Sequence, residues 1–112
     1  MSETIFSKII RGEIPCDKVY EDDLCLAFRD INPAAPTHIL IIPKKFMLNC
    51  LEATDDDKMV LGHMLLKTAE IAKAEGLEGY RLVINNGVEA GQSVFHLHMH
   101  VLGGRSLSWP PG

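Results

Sequence analysis

Residues 95–101 read Phe95-His96-Leu97-His98-Met99-His100-Val101, a run in which histidines alternate strictly with apolar residues. Side chains alternate between the two faces of a β-strand, so a strand here would place all three imidazoles on one face. The apolar residues would point to the other face, toward a core. We therefore predict a strand over residues 94–102 that carries a row of imidazoles spaced by about 6.6 Å.

Three roles fit such a row of imidazoles. A polar outer face is ordinary in antiparallel sheets and needs no function. Zinc commonly takes three protein ligands in catalytic sites, but the outer two histidines would lie about 13 Å apart at the backbone, and the strand offers no carboxylate partner. The third role is attack on phosphorus, because a neutral imidazole is a nucleophile and its neighbours can carry a proton.

The residues just before this run favour phosphorus chemistry. Gly91-Gln92-Ser93 combines a glycine, which permits close backbone approach, with a serine hydroxyl. A phosphate needs N–H and O–H donors of this kind as well as imidazoles. The same three residues also fit a plain hairpin loop, so they carry weight only beside the histidines.

The rest of the chain predicts an α+β fold, with an antiparallel sheet of about five strands and one main helix on it. Thr54 can cap that helix and Gly76 can end it, which gives about 20 residues. Helical spacing predicts its buried stripe: Val60, Leu61, Met64, Leu65, Thr68, Ile71 and Ala72. A short helix is expected over residues 4–11. Further strands are expected over residues 19–20, 24–28, 38–42 and 80–85, the last joined to residues 94–102 by a hairpin-length loop.

Composition narrows the class of protein. The 112 residues carry a net charge of −4, which argues against a general nucleic-acid binder. The longest aliphatic run is residues 39–42, far short of a membrane span, and the N-terminal residues lack the apolar stretch of a signal peptide. We expect a cytoplasmic protein. Among the cysteines, Cys16 is expected to be partly exposed, and Cys25 and Cys50 to be buried without disulfides.

Residues 96–102 follow the pattern His-φ-His-φ-His-φ-φ, where φ is apolar, and in this the chain resembles the histidine triad (HIT) superfamily. Other segments are similar to its Hint branch, the histidine triad nucleotide-binding proteins: residues 5–15, 20–23, 35–38, 42–45, 91–93, 103–105 and the closing Trp109-Pro110-Pro111-Gly112. The resemblance covers essentially the whole chain. It implies a HIT-like fold and a single HIT domain over residues 1–112, with a C-terminal tail over residues 103–112.

The resemblance also implies an activity, the hydrolysis of purine nucleoside phosphoramidates such as AMP linked to an amine. No cofactor and no metal ion are expected. Members of the branch are homodimers, so a homodimer is expected here, with no membrane or nucleic-acid partner. The alternative is a nucleotide-binding adaptor with little turnover.

Five residues receive catalytic roles from the resemblance. His98 would be the nucleophile that becomes nucleotidylated, and His100 would contact the phosphate and assist proton transfer. His96 would complete the triad through hydrogen bonding, and His38 would support the orientation of the nucleophile. Ser93 would bond to the leaving group or to a phosphate oxygen.

Further residues would bind the nucleotide. Asp30 would hold the ribose hydroxyls, and Ile31 would lie against the nucleoside. The phosphate side would be lined by Asn85, Gly91, Gln92 and Ser93, together with His98 and His100. Trp109 would reach toward the active site of a partner subunit. On their own, Asp30 also fits a turn residue and Asn85 the start of a hairpin loop.

Two residues fall outside the pattern. Phe46 stands where the family often has histidine, and it cannot ligate, titrate or donate. The expected effect is modest, because the four histidines of the catalytic set remain. His63 lies in the main helix and is interpreted as incidental.

Overall fold

The computed structural model describes residues 3–112, and these form one five-stranded antiparallel sheet with the strand order β1-β2-β3-β5-β4. The strands are β1 Lys18–Glu21, β2 Cys25–Arg29, β3 Thr37–Pro43, β4 Tyr80–Val83 and β5 Met99–Gly103. The helices are α1 Ile5–Ile10 and α2 Lys58–Ala74. The predicted α+β architecture, with one main helix and a short N-terminal helix, is confirmed.

Strand β3 is the central strand of the sheet. Its residues from His38 to Pro43, with four aliphatic residues between them, are all buried. It pairs with β5 so that Leu40 lies opposite His100 and His38 lies opposite Leu102. Residues two apart share a face of a strand, so His38 is the diagonal neighbour of His100. The register of the sheet therefore brings two histidines together that are far apart in the sequence.

The sheet buries a different cluster on each face. On one face, α2 packs through Met64 and Ile71 against inward residues of β2, β3 and β5. On the other face, Phe6 of α1 packs with Leu26, Phe28, Leu40 and Ile42. Leu40 and Ile42 alternate with the residues that face α2, so His38 and His100 lie on the α1 face.

Helix α2 begins later than the sequence predicts. A single 3₁₀ turn over Asp55–Asp57 comes first, and the backbone N–H of Thr54 donates to Asp57 Oδ2 at 2.9 Å. The α-helix itself has 17 residues. Leu65, which we expected in the buried stripe, is 49% exposed. His63 of this helix donates to Asp22 Oδ2 at 2.6 Å, so its role is to tie α2 to the β1–β2 turn.

The predicted strand over residues 94–102 is wrong in its first half. Strand β5 starts only at Met99, and β4 ends at Val83, so residues 84–98 form a long connection rather than a hairpin turn. The reason is that this connection bonds to the segment after β3: Leu97 N–H donates to Met47 O at 2.7 Å. Phe95, expected in the core, is 39% exposed.

The cysteines follow the expectation in two of three places. Cys25 is buried in β2, and Cys16 is partly exposed. Cys50 is exposed, against the prediction, because it begins a 3₁₀ turn over Cys50–Glu52 on the surface. Within residues 3–112, no helix has both the length and the apolar character that crossing a bilayer requires.

Candidate active site

Four imidazoles lie on the α1 face: those of His38, His98 and His100 contact one another, and Phe6 links His96 to them. His100 is in β5 and His38 in β3, whereas His96 and His98 lie in the connection before β5. The ring centroids of His98 and His100 are 4.9 Å apart, and those of His38 and His100 are 5.1 Å apart. The three triad histidines therefore do not form the evenly spaced row that a strand would give, although the cluster itself contains all four predicted catalytic histidines.

The tautomer of His98 is set by the backbone. Its Nδ1 lies 2.9 Å from the carbonyl oxygen of His96, which can only accept, so Nδ1 carries the proton. In the neutral ring, Nε2 then holds a lone pair. Burial lowers the pKa of His98, which keeps the ring neutral at neutral pH. His98 therefore has the form that a nucleophile needs.

The tautomer of His100 is set by a relay that starts at a backbone amide. Ala34 N–H donates to His38 Nδ1 at 2.9 Å, so the proton of His38 is on Nε2. That Nε2 lies 2.9 Å from His100 Nδ1 and donates to it. His100 must then carry its own proton on Nε2, the opposite tautomer to that of His98.

The Nε2–H of His100 is buried and has no hydrogen-bond partner in the described part of the chain. Such a group costs free energy until an acceptor reaches it. Burial, with the neighbouring rings of His98 and His38, lowers the pKa of His100 to about 4. The ring is thus a neutral donor held ready for an anionic ligand.

The contacts of His38 do not reach His98 directly, and its support of the nucleophile stays a prediction. His38 was expected to orient the nucleophile, but its ring contacts His100 and the Ala34 amide. His98 is oriented by the backbone of His96 instead. The reason is the register of the sheet, which makes His38 the diagonal neighbour of His100.

The ring of His96 has different partners from the other two triad rings. Its Nε2 donates to the Pro43 carbonyl at 2.9 Å, and its Nδ1 is buried without a partner among residues 3–112. Phe46 packs edge-on against this ring, with centroids 5.4 Å apart. Phe6 packs edge-on against both His96 and His98, at 6.0 and 5.1 Å. The sequence did not indicate the contacts of Phe6, because an apolar residue in a short helix carries no mark of its partner.

Asp30 lies beside the relay at the end of β2. Its Oδ2 is 3.5 Å from His38 Nε2, farther than His100 Nδ1, and its Oδ1 accepts from Asn32 N–H at 2.8 Å. The turn role that the sequence allowed is therefore real. The carboxylate stays half-buried beside the cluster, and the ribose-binding role remains a prediction.

The loop before the triad presents its residues unequally. Ser93 is exposed, and Gly91 adopts a left-handed conformation with φ +100°, which suits glycine. Gln92 is buried and uses its amide entirely in hydrogen bonds within the chain. Its side chain has no capacity left for a nucleotide, so the predicted binding role can belong only to its backbone.

The outer predicted residues differ in exposure. Ile31 is 90% exposed and Trp109 is 79% exposed, whereas Asn85 is half-buried. The tail is held by Arg81, which donates to the Ser108 carbonyl at 2.9 Å and lies over the Trp109 ring at 5.8 Å. Ile31 and most of Trp109 are open to solvent within residues 3–112, so their predicted contacts require a ligand or a second chain.

Among residues 3–112, two groups of side chains could hold a metal ion, each with ligand atoms within 4.8 Å of one another. The first group consists of Asp30, His38 and His100, and the facing ring nitrogens of the two histidines are already joined by a hydrogen bond. In the second, Asp22, Cys25 and His63 lie on the α2 face. There burial raises the pKa of the Cys25 thiol to about 12. In each group at least one histidine nitrogen is already engaged in a hydrogen bond, since His63 Nε2 bonds to Asp22 Oδ2 in the second.

Comparisons with known proteins identify the family. A family model described as HIT domain matches residues 11–107. An uncharacterized HIT-like protein of Synechococcus elongatus is 66% identical over the full length of both chains. A second uncharacterized HIT-like protein, from Synechocystis, is 62% identical over 98% of this chain and 97% of its own. The chain belongs to the HIT domain family.

Solved structures extend the likeness to the fold. A HIT family hydrolase from Legionella pneumophila superposes with a TM-score of 0.96 at 51% identity, over 98% of this chain and all of the other. A histidine triad protein from Clostridium difficile gives a TM-score of 0.91 at 44% identity, over 96% of this chain and 97% of the other. The HIT-like fold is therefore shown.

Proposed function

We propose that this protein is a hydrolase that cleaves the phosphorus–nitrogen bond of purine nucleoside phosphoramidates through a nucleotidyl-His98 intermediate. The observation that carries the proposal is the pair of opposite tautomers on adjacent rings. His98 offers a lone pair at Nε2, and His100 offers a buried, unpartnered N–H. One attacks an electrophilic centre and the other stabilises the negative oxygens around it. The Legionella relative, a HIT family hydrolase, supports the general class.

In the first step, His98 Nε2 attacks the α-phosphorus in line. A bond forms between that nitrogen and phosphorus, and the bond to the amine breaks. The His96 carbonyl stabilises the imidazolium character that develops on His98. His100 Nε2–H donates a hydrogen bond to the phosphoryl group and keeps its proton. The departing amine takes a proton from the exposed Ser93 hydroxyl, which receives one from solvent at the same time.

In the second step, water attacks the same phosphorus atom. The bond to His98 breaks, the nucleoside monophosphate leaves, and the proton released by water passes to solvent, which balances the proton taken up in the first step. His98 regains its starting tautomer because the His96 carbonyl still holds its Nδ1 proton. The protein thus ends each cycle with its protons where they began.

The surroundings of the cluster support chemistry on a dry, neutral site. Burial lowers the pKa of His96, His98 and His100 alike. Phe6 and Phe46 cover the rings from the side. Donors in such a site act more strongly on developing charge than they would in water.

The proposal includes the predicted nucleotide contacts. Asp30 would hold the ribose hydroxyls beside the relay, and the exposed Ile31 would lie against the nucleoside. Asn85, Gly91 and Ser93 would approach the phosphate side, the last through its free hydroxyl. These assignments rest on the resemblance, with the exposure of the residues consistent with it.

We also propose a homodimer. Helix α2 leaves Met59, Leu65 and Leu66 exposed, and β4 is an edge strand with one side unpaired. An unpaired edge next to exposed apolar residues is a surface that a second copy can cover. Sedimentation of the wild type and of Leu66→Glu tests it, with a dimer expected only for the wild type. The cytoplasmic location stays a prediction.

A fluorogenic tryptamine–AMP phosphoramidate tests the activity. We expect turnover by the wild type, with AMP and tryptamine as products. A trapped AMP adduct on His98, found by mass spectrometry after acid-free quenching, is the expected intermediate. Binding of AMP without cleavage of any phosphoramidate would favour the second candidate, a nucleotide-binding adaptor, which the exposed apolar surface of α2 also suits.

A further inference from the structure

Away from the imidazoles, a buried pair of amides joins the triad loop to the segment after β3. Asn49 and Gln92 are each 4% exposed, and Asn49 Nδ2 donates to Gln92 Oε1 at 2.9 Å. Buried amides are costly unless all their donors and acceptors are satisfied. The proposed reaction gives these two residues no task, so their burial needs a separate explanation.

Gln92 reaches the full hydrogen-bonding capacity of an amide. Its Oε1 accepts from Asn49 and also from Gly87 N–H at 2.9 Å. Its Nε2 donates to the carbonyls of Leu48 and Val94 at 2.8 and 3.1 Å. Two carbonyls can only accept, so the amide has one possible orientation. The side chain is therefore held in one orientation by four hydrogen bonds.

These four hydrogen bonds hold the residues on both sides of Ser93. Gln92 precedes it, and the carbonyl of Val94, which follows it, is held by the same amide. Gly87 fixes the start of the loop and Leu48 anchors it to the segment after β3. Ser93 is thus an exposed hydroxyl on a backbone that is pinned on both sides.

The same anchoring segment holds the triad itself. Pro43 accepts from the His96 ring, and Met47 accepts from Leu97 N–H, one residue before the nucleophile. A hydroxyl and a nucleophile that must meet one phosphorus atom are consequently tied to one short piece of chain, residues 43–49. Misplacement by about 1 Å can cost as much as a hundredfold in rate.

We infer that Gln92, held by Asn49, is a positioning residue that sets Ser93 at a fixed place relative to His98, and that its side chain does not contact the substrate. This inference rests on the proposed function. It assigns to Gln92 a role different from the phosphate contact that the sequence resemblance implies.

A double-mutant cycle between Gln92 and Ser93 tests the inference. Gln92→Met keeps the size of the side chain and removes all four hydrogen bonds. In the wild-type background, Ser93→Ala should lower kcat for the tryptamine–AMP substrate by about tenfold or more. Gln92→Met alone should lower kcat by about 10- to 100-fold. In the Gln92→Met background, Ser93→Ala should then cost less than about twofold, because Ser93 is already misplaced.

Thr68→Val is the matched control. Thr68 is a fully buried polar residue of α2 whose Oγ1 donates to Leu65 O at 2.7 Å, remote from the triad. This variant should lose stability in urea yet keep kcat and show additive behaviour with Ser93→Ala. If Gln92→Met does not fold, Asn49→Asp replaces the donor to Gln92 Oε1 by an acceptor and enters the same cycle.

Additive losses in kcat for Gln92 and Ser93 would overturn the positioning role while leaving the proposed function intact. A wild type that cleaves no phosphoramidate would overturn the proposed function instead. The cycle is then measured on AMP affinity by calorimetry, where coupling between the two positions supports the inference and additivity defeats it.

Discussion

The two halves of the histidine motif are held by different kinds of structure. His100 is in β5 and takes its place from the ladder with β3, which also delivers His38 to its side. His96 and His98 lie outside any strand, and individual hydrogen bonds to carbonyls hold their rings. Regular structure therefore places the donor, and an irregular segment places the nucleophile. A strand ladder contains many hydrogen bonds and tolerates the loss of one. A segment held by single hydrogen bonds depends on each of them.

The largest effect on turnover is expected for the irregular segment, which contains His96 and His98. His98→Ala removes the attacking lone pair, so turnover of the tryptamine–AMP substrate should fall by at least about 1,000-fold. AMP affinity, measured by calorimetry, should change only severalfold, because the donors around the phosphate remain. His98→Ala turnover equal to that of the wild type would remove His98 from its role.

Substitutions in the regular part, the β3–β5 ladder with His38 and His100, should lower turnover less. His38→Leu removes the donor that fixes the His100 tautomer, and kcat should fall by about 100-fold. His38→Gln can still donate from its amide to His100 Nδ1 and should recover part of that loss. If Leu and Gln at this position gave equal rates, the relay from Ala34 through His38 would have no catalytic importance.

The pH profile compares the two halves directly. His98 must be neutral to attack, and burial lowers its pKa below the ordinary value of about 6.5. The acid limb of the wild-type kcat/KM should therefore lie below about pH 6.5, the ordinary value for histidine. Phe6→Leu uncovers part of the His98 ring, so its acid limb should move up toward about pH 6.5. An unmoved limb would show that Phe6 does not shield the nucleophile.

The smallest effect concerns metal ions. Dialysis against a chelator should leave kcat unchanged, since His38 and His100 use their facing nitrogens to bond each other. Activity that disappears on chelation and returns with zinc would support a metal-dependent hydrolase and would replace the two-tautomer mechanism.

What could be predicted from the sequence follows the same division. Strand β3, helix α2 and the histidine set were readable, because apolar periodicity and alternation are local properties. The early end of β4 and the late start of β5 were not, because they depend on bonds such as Leu97 N–H to Met47 O, between distant parts of the chain. The alternation of residues 95–98 is strand-like, yet tertiary contacts override it.

Roles within the site show the same limit. The resemblance supplied His98 and His100, but the partner of His38 depends on the β3–β5 register, which the sequence leaves open. The resemblance implied that Gln92, with Gly91 and Ser93, lines the phosphate side. Its actual partners, including the Leu48 carbonyl, are backbone groups whose positions no motif records.

The surface turn at Cys50 is a suitable labelling site next to the connection between β4 and β5. Its thiol is exposed, while its own backbone N–H donates to Asn86 Oδ1 at 2.7 Å. Cys25 is sealed in the core, so replacing Cys16 by serine would leave one accessible sulfur for a maleimide dye. A fluorophore there would sit at the junction of residues 47–50 with the connection that carries the nucleophile. Its emission could follow nucleotide arrival in real time, without a tryptophan introduced near the imidazoles.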